Sequence, residues 1–403
     1  MTRRVRLTRH TSKPVALVTS TIPITIDKFH QELIRQVQAE GYDVCLVSSP
    51  GSELDNLGAE MGVRVRSLPM AREISPRADL ASLVHWISIC LRERPTLVIS
   101  ATPKASLLSQ LAGRLTGVRR RLYYVGGLRL EGEQGRRRHL LAAMERLTSW
   151  ASTEVVANSP SLTARYAELR LAQPRKLRQT RPGSSHGVDC GHFSPRPPDL
   201  QLADELGFDR SVPVIGFVGR LTHDKGIACL ISAIALLRAD DISCQLLVVG
   251  AQDEPDSAIY LDILKSIGEH VFAVGAVDDV RPYFALMDVH VLPSLREGFP
   301  NVVLEASAMG LPTISTDATG AIDSVRDGET GIIVKNQDAS KLADAIKTLV
   351  RDQDKASRYG VAARNWVIAD FQPEAVVRSL LAFGEPSDAR STEHAREHPK
   401  ERA

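Results

Sequence analysis

Glu297 and Glu305 close the run Pro293-Ser-Leu-Arg-Glu-Gly-Phe-Pro-Asn-Val-Val-Leu-Glu305, and what two acids could do there depends on what separates them. The apolar residues 289–293 read as a buried strand. Glu297 follows in a loop, Gly298 frees the backbone, and Pro300 suits the first position of a helix, where its missing N–H is not needed. Glu305 then lies about one and a half turns into that helix. The free N–H groups of a helix start favour an anion, yet two acids already flank this one. A ligand with both phosphates and hydroxyls resolves the conflict. Its phosphates take the amide dipoles and its hydroxyls take the acids, and a sugar nucleotide has that composition.

The opposite charge comes from Phe217-Val-Gly-Arg-Leu-Thr-His-Asp-Lys-Gly226. A strand ends near Val218, Gly219 permits a close backbone approach, and Arg220 and Lys225 precede a helix that starts near Gly226. The carboxyl ends of strands in an open parallel sheet carry the ligand. Two cations there could neutralise a diphosphate that gains charge as a bond breaks. Taken alone, Arg220 and Lys225 could be ordinary loop charges; the acid pair in the same half favours a ligand.

The elements that would position these residues follow from periodicity. In the first half, 15–20, 44–48, 63–67, 97–100, 122–125 and 154–157 read as strands. Helical patterns lie at 27–40, 79–93, 103–115 and about 138–150, and the second of these carries Leu80, Leu83, Val84, Ile87 and Leu91 at amphipathic spacing. A turn-rich Ser-Pro-Arg-Pro-Pro-Asp segment interrupts the alternation. It then restarts, with strands at 214–218, 244–250, 271–275, 289–293, 312–315 and 331–334 and an amphipathic helix at 338–350. The alternation predicts an α/β protein of two doubly wound, Rossmann-like domains facing across a cleft. The expected division is a first domain over 14–194, a linker over 195–211 and a second domain over 212–370. A C-terminal helix over 371–384 would pack back on the first domain, and a charged tail over 385–403 would be disordered.

Length alone predicts two or three domains, since 403 residues exceed one ordinary domain, and a hydrophobic share of 43% suffices for two cores. The net charge of +2 gives no reason to expect a nucleic-acid partner. Basic clusters at Arg119–Arg121, at Arg136–Arg138 and at Arg175, Lys176 and Arg178 are either solvated surface or a face for an anionic membrane or phosphate-bearing acceptor. Five scattered cysteines without a C-x-x-C pair suit small buried residues in a reducing compartment. No apolar run reaches the roughly 18 residues of a membrane span. The mildly apolar stretch 15–26 is diluted by Thr and Ser, and its start, 15–20, reads as a first strand rather than part of a secretory leader. The single Asp-x-Asp spacing, Asp352-Gln-Asp354, lies between two late helices and reads as solvated charge, so no metal and no cofactor is expected.

Together, Gly219-Arg220, Lys225-Gly226, the Glu297 to Glu305 stretch, Thr316-Asp317 and Asp327-Gly-Glu-Thr-Gly-Ile resemble the retaining GT-B glycosyltransferases, family four, of the "glycosyl transferases group one" type. Softer first-half motifs resemble the branch that builds capsular, exopolysaccharide and O-antigen chains. They are Ala101-Thr-Pro-Lys-Ala-Ser, Gly126-Gly-Leu-Arg-Leu-Glu131, Ala157-Asn-Ser-Pro-Ser and Gly183-Ser-Ser-His-Gly-Val-Asp. The resemblance implies a GT-B fold with the acceptor on the first domain and a nucleotide-sugar donor, UDP-linked, on the second. Arg220 and Lys225 would hold the donor diphosphate and Glu297 the sugar hydroxyls; these three are the catalytic candidates. Gly219, Gly298, Phe299, Pro300 and Asn301 would lie near sugar and phosphate, Glu305 would bind the ribose, and Gly275 and Val277 would edge the base. Attack would come on the same face as departure, with retention and without a metal.

The first half departs from the wider family. In place of a Gly-Gly loop after the first strand stands Ser20-Thr-Ile-Pro-Ile-Thr25, and in place of a central histidine stands Tyr123-Tyr-Val-Gly-Gly-Leu-Arg129. Thr21, Ile22, Gly126, Gly127 and Arg129 are the acceptor-side candidates, and His186 reads as a turn or packing residue. By resemblance the acceptor is a saccharide, lipid-linked, and the protein works in the cytoplasm or on the inner face of the plasma membrane. The competing functions are a GT-B nucleotide-sugar epimerase and a non-catalytic nucleotide-sugar binding protein.

Overall fold

The computed structural model describes residues 13–71, 73–251, 257–268 and 270–382; the basic start and the tail expected over 385–403 lie outside them. The first sheet contains β1 (Val15–Thr19), β2 (Asp43–Ser48), β3 (Arg64–Ser67), β4 (Leu97–Ser100), β5 (Arg120–Val125), β6 (Glu154–Ala157) and β7 (Leu177–Gln179), in the order β3-β2-β1-β4-β5-β6-β7. The second contains β8 (Val214–Val218), β9 (Gln245–Val249), β10 (Val271–Gly275), β11 (Val289–Leu292), β12 (Thr313–Thr316) and β13 (Gly331–Val334), in the order β10-β9-β8-β11-β12-β13. Every pairing is parallel. Each sheet starts in its middle, winds to one edge, returns past its first strand and winds to the other, which is the doubly wound order.

Helices join the strands. In the first lobe they are α1 (Pro23–Phe29), α2 (Gln31–Ala39), α3 (Ser52–Met61), α4 (Pro76–Glu93), α5 (Pro103–Leu115), α6 (Gly135–Ala151) and α7 (Pro160–Glu168). Then follow α8 (Leu200–Leu206), α9 (Ile227–Ala239), α10 (Ser257–Ser266), α11 (Arg281–Phe284), α12 (Asn301–Ala308), α13 (Ala339–Arg351), α14 (Gln353–Asp370) and α15 (Pro373–Leu381). Proline opens α1, α4, α5, α7 and α15, where its fixed φ helps and its lost N–H costs nothing. The carboxylates of Asp338 and Asp352 accept the N–H of Lys341 and Lys355 and cap α13 and α14, so Asp352 of the Asp-x-Asp spacing is a helix cap.

Strands such as VALVT, VIGFV and QLLVV are apolar on both sides because helices cover both faces. Ala16, Val18 and Leu46 face α2, while Leu17, Cys45 and Val47 face Trp86 of α4 and Leu108 of α5. In the second lobe Ile215, Phe217 and Val248 pack on α9 and α13, and Val214, Val218 and Val249 pack on Phe284, Met287 and Ala306. Beyond α14 the chain returns to the first lobe: Val377, Leu380 and Leu381 of α15 join its core, and the Gln36 side chain donates to the Glu374 carbonyl at 3.0 Å.

Four local differences from the sequence expectation have physical causes. The helix expected at 27–40 is two, broken at His30 (φ −119, ψ 7), and the first begins at Pro23, four residues before the expected start. Pro300 is the residue before α12, not its first. Among the basic clusters, Arg121 is buried and donates to the carbonyls of Ala151 and Val118, Arg120 pairs with Glu154 at 3.3 Å, and the Lys176 ammonium caps the end of α6 through the carbonyls of Ser149, Trp150 and Ser152. Arg120, Arg121 and Lys176 thus serve the scaffold, whereas Arg119, Arg175 and Arg178, like Arg136 and Arg137, remain exposed. Lastly, α4 buries Ser82, Trp86 and Cys90, and turns Leu80, Val84 and Leu91 outward at 58–63% exposure.

Candidate active site

In a doubly wound sheet the ligand crevice lies outside the strand ends where the order reverses, here beyond β8 and β11. Both charged segments of the sequence emerge there. A short turn over His223–Lys225 carries Lys225 and ends at Gly226, whose φ of +72 suits glycine. A Cβ on Gly226 would stand 1.9 Å from the Pro293 carbonyl oxygen, so only a bare backbone lets the two segments meet. Lys225 Nζ then donates to Glu297 Oε1 at 2.6 Å, and Ser294 Oγ donates to the same oxygen at 2.7 Å. The Glu297 N–H donates to the Thr319 carbonyl at 2.8 Å. Arg296 pairs with Asp224 at 3.3 Å, and the Leu295 N–H donates to the Asp224 carbonyl at 2.9 Å. Burial alone would raise the Asp224 carboxyl. The Thr222 hydroxyl and the charges of Arg296, Lys225 and Arg220 outweigh it and hold the group below its ordinary range.

A cavity of about 530 Å³ opens on this cluster. Gly219, Arg220, Lys225, Val277, Glu297, Phe299, Pro300, Asn301 and Glu305 line it from the second lobe, and Lys28, Phe29, Ser185 and His186 from the first. Glu305 is half-buried on α12, and burial pushes its carboxyl up to about 7. Gly275 stands just outside, with its carbonyl accepting the Gly250 N–H at 2.8 Å. Gly298 is also absent from the lining because it presses on the other lobe: a Cβ there would lie 2.1 Å from the Gly126 carbonyl oxygen.

A second cavity of about 340 Å³ adjoins the first through Phe29, Ser185 and Phe299. Gly126, Gly127 and Arg129 line it, together with Thr25, His30, Thr102, Tyr124 and Asn158, and Arg296 reaches in from the second lobe. Thr21 and Ile22 do not line it. Thr21 is buried with its N–H on Thr102 Oγ1 at 2.7 Å, and Ile22 precedes α1 with its side chain partly exposed. Thr102 and Thr25 hold the wall in their place.

Sequence reasoning gave two groups no role in the site: it read His186 as a turn or packing residue and did not single out Asn158 within its segment. His186 lines the donor-side cavity: Asn301 Nδ2 donates to His186 Nε2 at 2.6 Å, and the ring's other nitrogen meets Ser185 Oγ at 2.7 Å. An amide nitrogen can only donate, so Nε2 accepts and the proton sits on Nδ1. Burial, reinforced by His30, holds this imidazole at about 3, so it is neutral. Asn158, 2% exposed, faces the peptide after Glu297; with its amide turned to suit its neighbours, nitrogen donates to the Gly298 carbonyl (3.1 Å) and oxygen accepts the Phe299 N–H (3.2 Å). Both residues lie in short segments quoted for the family resemblance, but their partners across the cleft are more than a hundred positions away, so local spacing assigns them no role.

Two doubly wound lobes closing on a cleft define the GT-B class of sugar-transferring folds. The family model described as "Glycosyl transferases group 1" matches residues 212–352, and that of the "Glycosyl transferase 4-like domain" matches residues 26–183. A capsular polysaccharide biosynthesis glycosyltransferase of Staphylococcus aureus, CapM, is 33% identical over 367 residues, covering 90% of this chain and 94% of that protein. A lipopolysaccharide core biosynthesis glycosyltransferase of Rhizobium meliloti, LpsE, is 25% identical over 88% of this chain and 94% of its own length. Among solved structures, HepE of Anabaena in complex with UDP and glucose superposes with a TM-score of 0.75 at 17% identity, covering 92% and 98% of the two chains. The chain therefore belongs to the glycosyl transferases group 1 family and is a glycosyltransferase.

Proposed function

We propose that this protein moves a sugar from a UDP-sugar to a hydroxyl of a saccharide acceptor, with retention and without a metal, in the building of a surface polysaccharide. The observation that carries this is the Lys225–Glu297 contact at 2.6 Å in a cavity that Arg220 and Glu305 also line. A pyrophosphate entering there would meet Lys225 and Arg220, and Glu297, released in part from Lys225, would accept sugar hydroxyls. Glu305 would take the ribose hydroxyls, and Val277 and the neighbouring Ala276 would edge the base. Glu297 Oε1 already accepts two hydrogen bonds, which suits a group that holds hydroxyls rather than one that attacks carbon. In the step proposed, the anomeric carbon–phosphate oxygen bond breaks and the acceptor oxygen bonds to the same face. The acceptor proton passes to the leaving phosphate oxygen. Arg220 and Lys225 stabilise the charge that gathers on the diphosphate. The capsular and lipopolysaccharide relatives support the pathway, and the neighbour solved with UDP and glucose supports the donor.

The test is a thermal-stability screen with a panel of nucleotide sugars, followed by transfer assays with the one that stabilises. A nucleotide at a hundred times its dissociation constant adds about 2.7 kcal/mol to the folded state. Glu297→Gln is expected to keep donor binding and to lose roughly a hundredfold in turnover. Activity should persist in a chelator, and the product's anomeric proton coupling should match the donor's. Wild-type turnover in Glu297→Gln, or product of inverted configuration, would refute the assignment. An epimer formed without acceptor would point to an isomerase.

A further inference from the structure

The turn that carries Glu297 is held in place by the opposite lobe. Its N–H is anchored on the Thr319 carbonyl at 2.8 Å, and Thr319 Oγ1 in turn donates to Glu131 Oε1 of the first lobe at 2.9 Å. The same Glu131 oxygen accepts from Arg165 Nε at 2.9 Å, which fixes it from α7. One residue on, the Gly320 N–H donates to Ser161 Oγ at 2.7 Å. Ser161 then donates its hydroxyl (2.5 Å) and its backbone N–H (2.9 Å) to Asp323 Oδ2. A carboxylate of the second lobe thus caps the first turn of a first-lobe helix, where an anion is favoured. On the other side of the turn, Gly298 lies against the Gly126 carbonyl and between the two amide contacts of Asn158. The segment 319–320 also presses directly on the acid's turn: a Cβ on Gly320 would lie 2.3 Å from the Gly298 carbonyl oxygen and 2.6 Å from that of Glu297.

We infer that Glu131, Ser161 and Asp323 are positioning residues for Glu297, so that the acid is set only when the two lobes are docked. Glu131, Ser161 and Asp323 line neither cavity, so they act through the 319–320 loop and not by touching substrate. The inference deepens the proposed transfer reaction and rests on the role given there to Glu297. Its consequence is an order of events. A nucleotide can bind the second lobe through Arg220, Lys225 and Glu305 while the lobes are apart. The sugar's hydroxyls gain their acid only as the first lobe arrives and excludes water.

The test measures docking and chemistry separately. Spin labels at E60C on α3 and D344C on α13, in a C229S background, report the distance between lobes in the presence of UDP. Wild-type seam residues should give one short, narrow distribution. Asp323→Ala and Ser161→Ala should shift it longer and broader, while calorimetry finds UDP affinity unchanged within about twofold, since the nucleotide's partners are intact. With the donor found by the stability screen, kcat should fall roughly ten- to a hundredfold at unchanged donor KM, the loss expected of one charge-assisted hydrogen bond. More UDP should also be released per glycosidic bond made, and Ser161→Thr should restore part of the loss. Unaltered distances in both alanine variants, or kcat and UDP affinity falling in parallel with melting temperature, would overturn the inference. Wild-type protein that fails to bind UDP would refute the UDP assignment instead, and the distance measurement on the free protein would still decide whether the seam holds the lobes.

Discussion

Lys225 and Glu297 neutralise each other in a half-buried setting, so a ligand must divide a pair that is already satisfied. Glu305 is different: burial lifts its carboxyl from 4.5 to about 7. A carboxyl raised on folding makes the native state bind more protons than the unfolded chain between those two values. Its cost to stability is therefore absent at low pH, grows as pH rises through that window, and is complete above about 7. Glu305→Gln should melt higher than wild type at pH 8, and the difference should vanish near pH 4. Hydroxyls of a ribose would favour the ionised acid, so UDP affinity of the wild type should rise with pH between about 6 and 8, at most about tenfold per unit, while the Gln variant stays flat. A pH-independent difference in melting temperature, measured by calorimetry, would remove Glu305 as the titrating group. Arg220, Lys225, Glu297 and Glu305 were legible in the sequence because charge, glycine and proline concentrate within two short segments. Asn158 and Glu131 lie in segments that the resemblance singled out, but their roles were not legible, because each acts on a partner across the cleft and chain spacing does not show which.

At the scale of elements, strands buried on both faces announce themselves as apolar runs, and the β-α alternation followed from them directly. The helix boundaries were harder. Pro23 opens α1 in a stretch rich in Thr and Ser, and His30 leaves helical geometry without any proline or glycine to mark the break. The most instructive case is α4. Its apolar spacing was visible, but not the direction it faces, because Trp86 and Cys90 supply a second apolar row that goes inward. The outward row Leu80, Val84 and Leu91 lies on the same side of the lobe as α6, with its exposed Arg136 and Arg137, since both helices pack on α5. We propose that this face rests on an anionic membrane and brings a lipid-linked acceptor to the cavity lined by Arg129. Among the described residues no helix is long and apolar enough to cross a membrane, so binding would be at the surface. Flotation with phosphatidylglycerol vesicles should recover the wild type at low salt. Leu80→Ser with Val84→Ser should lower the vesicle partition several-fold without changing the melting temperature, since neither side chain is in the core. Equal flotation of wild type and variant would remove the membrane role.

Over the whole molecule, the chain visits the first lobe, then the second, then the first again. The end of α14 is stitched to the segment before the second lobe, where the Phe371 carbonyl accepts the Val188 N–H at 2.9 Å. From there α15 lays Val377, Leu380 and Leu381, each at most 3% exposed, against the same core as β1, β2 and α2. The Arg120 guanidinium donates to the Leu381 carbonyl at 2.9 Å, and the Arg181 N–H to Ser379 Oγ at 2.7 Å. A residue late in the sequence is therefore a structural member of the first lobe, and damage to it should be felt there. Leu380→Ala removes a buried side chain and should cost about 2–5 kcal/mol. Trp86, fully buried in the first lobe, can report this once Trp150 and Trp366 are replaced by Phe. Its urea transition should move to lower denaturant at unchanged slope, because the same surface is exposed on unfolding. UDP, which would bind the second lobe, should still be held at low urea with wild-type affinity. If Leu380→Ala leaves the Trp86 transition in place and instead weakens UDP binding, α15 stabilises the second lobe, and the return of the chain to the first contributes nothing to that lobe's stability.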